Sequence, residues 1–153
     1  MTLFVGISGL APAGAASGSW QTQTQVQVQE PVPPTDFVDL PTSPLPADSG
    51  QRRFRVTFRN IAATDRTVAP QLLVVSPDAG PFLSPSDITL ERRKTDGGWE
   101  AVQVGTQTGT LFTDLSTARR TLHPGQTLIE IYRLTVVTPQ AKGTVEPRVA
   151  VYD

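Results

Sequence analysis

From Gln51 onward, apolar and polar residues alternate in short runs of period two, and no stretch carries a convincing helical stripe. Period-two alternation places successive side chains on opposite faces of a strand. The clearest case is RRFRVTFR at 52–59: Phe54, Val56 and Phe58 share one face, while Arg53, Arg55, Thr57 and Arg59 share the other. Further strands are predicted at Val68–Val75, from Ile88, at Trp99–Val104, at Leu111–Leu115, at Thr127–Val137 and at Thr144–Tyr152. The segment Thr106–Thr110 reads as a polar loop. Proline removes a ladder donor, so Pro70 predicts an edge or a late start to pairing for its strand, and Pro147 an edge or a bulge for the last strand.

Turn chemistry punctuates these runs. Asp78-Ala79-Gly80-Pro81, Asp96-Gly97-Gly98 and His123-Pro124-Gly125 each supply residues suited to a reversal. About seven short strands in about 100 residues is the signature of a β-sandwich. The expected fold is therefore all-β, an antiparallel sandwich of about seven strands over 51–153, preceded by an extended N-terminal segment.

The first 50 residues differ from the rest. Leu3 to Leu10 is a short apolar run, and Ala13-Gly14-Ala15 has the small-x-small spacing of a signal-peptide cleavage site, although no Lys or Arg precedes the run. Residues 1–16 are thus expected to be an export signal that lacks the usual basic end, with the mature protein extracellular or at the cell surface. The run is too short to span a bilayer, so no membrane span is expected in the mature form. Residues 17–50 are polar and proline-rich. QTQTQVQVQ at 21–29 alternates as a peripheral strand would. Six prolines between Glu30 and Gly50 then impose an extended backbone. Two accounts fit this stretch: a strap along the sandwich anchored by Phe37 and Leu40, or a semi-rigid stalk.

FRVTFRN at 54–60, LHPGQTLIEIYRLTV at 122–136 and the closing GTVEPRVAVYD together resemble the immunoglobulin-like and fibronectin type III-like accessory domains of secreted bacterial proteins. The resemblance covers roughly 51–153. It implies a spacer, adhesion or cell-surface recognition module and no particular activity. The arginines at 53, 55 and 59 depart from the Thr- and Ser-rich strand faces usual in such domains.

Charge changes the picture only in its distribution. The net charge is −1, giving no general attraction to nucleic acid. All 13 basic residues, mostly Arg, lie after Gly50. There is no cysteine, which excludes disulfides, thiol catalysis and thiolate-bound zinc. The single histidine, His123, sits in a turn without a neighbouring ligand set or base partner in sequence. Glu91 and Glu100 flank a hairpin, and Asp87 and Asp96 lack the acid spacing of a calcium loop. No nucleophile elbow or phosphate-binding glycine loop is present. These observations predict no catalytic residues, no metal and no cofactor.

What remains is a candidate binding face. Alternate strand residues repeat every 6.6 Å or so, which spaces Arg53, Arg55 and Arg59 along about 20 Å of one face. Guanidinium groups suit carboxylate and phosphate partners. The competing account is a solvated face neutralised by glutamates on neighbouring strands. Trp99 either joins that face, to stack on a ligand, or packs in or over the core, as a lone tryptophan in a small sandwich usually does. Arg119 and Arg120 are expected in a loop. The function expected is a non-enzymatic structural or interaction domain; the alternative is a module binding an anionic cell-surface polymer or carbohydrate through Arg53, Arg55, Arg59 and Trp99. The partner, protein or polymer, is left unnamed by the sequence.

Overall fold

A computed structural model of the chain describes residues 32–47 and 49–152. The expected export signal and the strand at 21–29 lie outside the described residues. One compact unit runs from Pro33 to Asp153. Its strands, in chain order, are β1 (Asp36–Asp39), β2 (Ser43–Pro44), β3 (Gln51–Arg59), β4 (Arg66–Val75), β5 (Ile88–Arg93), β6 (Trp99–Ala101), β7 (Val104–Gln107), β8 (Thr110–Thr113), β9 (Arg120–Leu122), β10 (Thr127–Val136) and β11 (Thr144–Tyr152). Two single 3-10 turns, Pro85–Asp87 and Ser116–Ala118, are the other regular elements among the described residues.

The fold is all-β and sandwich-like, and every pairing among the described strands is antiparallel. One sheet has the order β3-β10-β5-β6. The other has the order β1-β11-β4-β8-β7, with β2 also on β11 and β9 also on β4. Burying one face of each sheet against the other supplies most of the folding free energy in such an arrangement. The core draws Phe54, Val56, Leu90, Leu128 and Leu134 from the first sheet and Leu72, Val74, Leu111, Val145 and Val149 from the second. Phe54 and Val56 point inward as their alternation predicts, and Phe58 is half-buried against the same core. More strands form than the about seven expected, because short ladder segments flank the two prolines and the segment 104–113 pairs with itself.

Both prolines sit in central strands, contrary to expectation. β4 lies between β11 and the β8 and β9 segments, and β11 lies between β4 and the β1 and β2 segments. The structure resolves the conflict by interrupting the neighbour. β9 pairs with Arg66–Val68 and β8 with Leu73–Val75, leaving a gap opposite Pro70. Leu72 N–H points to that side, donating to Thr113 Oγ1 at 3.1 Å, and Pro70 shares its parity. The missing donor therefore faces the gap. β1 pairs with 148–151 and β2 with 144–145, so Pro147 also faces a break, where its carbonyl accepts from Leu40 N–H at 3.0 Å. A central strand tolerates proline where no ladder bond is lost.

The expected loop at 106–110 is a hairpin. Thr108 and Gly109 take φ of 46° and 83°, both left-handed, as a two-residue type I′ connection between β7 and β8 requires. The segment before β3 runs along the second sheet: β1 and β2 pair with β11, while Phe37 and Leu40 are half-buried.

Candidate functional site

The outer face of the four-stranded sheet is built by alternation. β3 contributes Gln51, Arg53, Arg55, Thr57 and Arg59, β10 contributes Ile129, Ile131 and Arg133 between two threonines, β5 contributes Glu91 and Arg93, and β6 contributes Trp99. Register brings these together. Arg133 stands opposite Arg53 on one side and Glu91 on the other, Ile131 opposite Arg55, and Thr127 opposite Arg59. Trp99 stands opposite Arg93.

Trp99 is not a core residue. It is half-exposed on this outer face, with the guanidinium carbons of Arg133, Arg53 and Arg93 at 4.2, 5.3 and 5.5 Å from its ring. An aromatic face attracts cations, and such contacts hold long side chains in place. The indole therefore organises three guanidiniums, and Arg133 already occupies a face that a sugar ring would need. Arg53 thus shares a cluster with Trp99, whereas Arg55 and Arg59 extend the strip away from it along β3.

The neutralisation expected of neighbouring glutamates is slight. Glu91 binds Arg133, with Oε1 at 2.8 Å from Nε and 2.7 Å from Nη2. Arg53, Arg55, Arg59 and Arg93 form no ion pair among the described residues. The face thus carries five arginines against one glutamate, a formal +4. Ile129 is 50% exposed beside the strip, adding an apolar margin.

Glu91 and Glu100 do not form a carboxylate pair, because adjacent positions put them on opposite faces of the sheet. Glu100 instead binds Arg92, at 3.1 Å from Nε and 2.5 Å from Nη2. That pair borders a second charge cluster, which sequence reading missed. Glu130 is buried between the sheets at 5% exposure, held by an ion pair to Arg120 of β9 and by Arg92 at 4.0 Å. Arg120 is accordingly a strand residue committed to Glu130 and not a loop residue, and Arg119 lies over Tyr152 at 4.3 Å. The alternation of TLIEIYRLTV places Glu130 inward, yet nothing local shows what it meets.

Burial raises the Glu130 carboxyl above its usual range, and the opposing pull of Arg120 and Arg92 does not cancel it. Tyr132 beside it is pushed up to about 12, chiefly by burial and further by Glu130. A raised carboxylate value means that the folded state holds the proton more tightly than the unfolded state. The stability associated with Glu130 is then complete below its unfolded value of about 4.3 and declines as pH rises through the folded value. Asp87 and Asp114 act in the opposite sense. Hydrogen bonds, chiefly from Thr138 to Asp87 and from Ser116 to Asp114, lower their carboxyls, so their contribution is lost as pH falls. Urea titrations of the wild type and Glu130→Gln from about pH 4 upward are expected to show the wild type losing stability relative to the variant. A relative gain over that range would mean that the arginines outweigh burial.

His123 meets Asp65, Nδ1 to Oδ1 at 2.9 Å, in an exposed pair. Asp87 and Ser84 cap the first 3-10 turn, and Asp96 closes the β5–β6 turn by accepting from Gly98 N–H. No metal-ligating cluster occurs among the described residues. No described helix is long and apolar enough to cross a membrane. A wide cleft of about 1460 Å³ lies elsewhere, between Leu45–Ala47, Phe82 and Pro139–Lys142. No family model, curated protein or solved structure matches the chain.

Proposed function

We propose that this chain is a non-enzymatic interaction module of the immunoglobulin-like kind, exported to the cell surface or extracellular space, whose arginine-lined sheet face binds an anionic polymer. The observation that carries the reading is the imbalance of that face. Five arginines from three adjacent strands meet a single glutamate, and three of the five lie in a row on β3. Repulsion among like charges costs stability. A face that retains them in a chain of net charge −1 suits an anionic partner better than solvent alone. Small residues at Ala13-Gly14-Ala15 support export, and the two facing antiparallel sheets support the immunoglobulin-like assignment.

The partner is an extended chain with repeated negative charges, because the arginines form a strip and not a pocket. Exposed charges are screened within about 10 Å at 0.1 M salt. The wild type is expected to bind polygalacturonate beads at about 50 mM salt and to elute by about 500 mM. Retention that ignores salt, or no retention at the lower concentration, would contradict the reading.

A further inference from the structure

We infer that the edge of β3 left open among the described strands accepts an acidic polypeptide segment as an added antiparallel strand, with Arg53, Arg55 and Arg59 pairing with acidic side chains on it. This deepens the proposed function and rests on it: the arginine strip is the same site, and the partner becomes an extended peptide.

The backbone carries the first part of the argument. β3 has nine residues and pairs only with β10 among the described strands. Its register with β10 runs without a bulge from Gln51–Thr135 to Arg59–Thr127. Just beyond either end, Val136 N–H donates to Gly50 O at 3.0 Å and Asn60 N–H donates to Gln126 O at 2.9 Å. Hydrogen-bonded and non-bonded pairs alternate in an antiparallel ladder. The even residues of β3 therefore turn their N–H and C=O groups to β10. Gln51, Arg53, Arg55, Thr57 and Arg59 turn theirs to the open edge. An edge of this length is a template for another strand.

The side chains carry the second part. The residues whose backbone groups face the open edge are those whose side chains form the arginine strip. In a hydrogen-bonded pair the opposing residue receives both: two backbone bonds and a guanidinium. A strand laid beside β3 has the same two-residue repeat of about 6.7 Å, so alternating acids meet Arg53, Arg55 and Arg59 without adjustment. Sugar and phosphate polymers have no N–H groups on that repeat to complete the ladder. Trp99 offers them little in exchange, since Arg133 lies 4.2 Å from its ring.

The same charges discriminate against a second copy of β3. Antiparallel self-pairing in its centred registers sets Arg55 against itself, Arg53 against Arg55, or Arg53 against Arg59. Like charges directly opposite are destabilising. The edge is closed to itself and open to an acidic strand.

A nine-residue peptide alternating Thr and Glu tests the inference on the full chain. Its comparators are the same peptide N-methylated at the Glu amides, which keeps every charge and removes the ladder donors, and polygalacturonate. The plain peptide is expected to bind about tenfold or more tightly than the methylated one. The Arg53, Arg55, Thr57 and Arg59 amides should exchange more slowly in its presence. Thr57→Pro removes an N–H from the open edge and none from the β10 ladder. It should weaken the plain peptide about tenfold and leave polygalacturonate unaffected. The amide-exchange measurement on wild type stands whether or not that variant folds. Equal binding of all three ligands, with the β3 amides unprotected, would overturn strand addition and leave the arginine face intact. Absence of salt-sensitive binding to any of them would overturn both.

Discussion

Leu134→Ala is expected to lower the unfolding free energy by about 2–5 kcal/mol, while Arg55→Ala leaves it within about 0.5 kcal/mol. Leu134 is fully buried on the inner face of β10, flanked by Tyr132 and Val136 on the same face. It belongs to a core cluster drawn from both sheets, so truncation leaves a cavity that cannot close by moving one strand. Arg55 stands on the other face, opposite Ile131, and touches solvent. The pair of variants tests register directly. A slip of one residue exchanges the two faces of a strand. Urea unfolding should show a lower midpoint for Leu134→Ala at an unchanged slope and an unmoved midpoint for Arg55→Ala. Equal losses would place β3 and β10 in another register.

β3 was legible in the sequence because its alternation is unbroken and its two faces differ sharply, Phe54 and Val56 against Arg53 and Arg55. The roles of Pro70 and Pro147 were not. Proline forbids one donor, and whether that matters depends on where the neighbouring strand stops, which is a property of residues far away in the chain. Thr108 hid the β7–β8 hairpin, since threonine rarely takes the positive φ it has here. Asn60 follows the last residue of β3, and its work is tertiary. Its fully buried side chain donates to Thr64 O and Leu122 O, both at 2.9 Å, and accepts from Ala62 N–H at 2.9 Å.

The candidate site divides in the same way. Arg53, Arg55 and Arg59 share a face by local period alone. Trp99 joins Arg53 because β6, β5 and β10 carry the intervening width of the sheet, and no local pattern reports that order. Arg120 belongs with Glu130 for the same non-local reason.

Replacing Arg53, Arg55 and Arg59 together by Gln should abolish retention on an anionic polymer at low salt and leave the fold intact. The change takes the face from a formal +4 to +1, and it removes only side chains that are exposed and without ion pairs among the described residues. Arg133 and Arg93 remain on Trp99, so the aromatic cluster persists. Arg119 and Arg120 make a poor control, because Arg120 is bound to buried Glu130. Lys142 is exposed and lies outside the strip, on a cleft that none of the three arginines lines, which makes Lys142→Gln the like-for-like control for a single charge. The decisive measurement is the dissociation constant for polygalacturonate across a salt series, for wild type, Arg55→Gln, Lys142→Gln and the triple variant. The account predicts a steep salt dependence for wild type, a weaker affinity and shallower dependence for Arg55→Gln, a wild-type curve for Lys142→Gln and no measurable binding for the triple variant. Equal weakening by Arg55→Gln and Lys142→Gln would contradict it, since attraction would then follow net charge and not the β3 face.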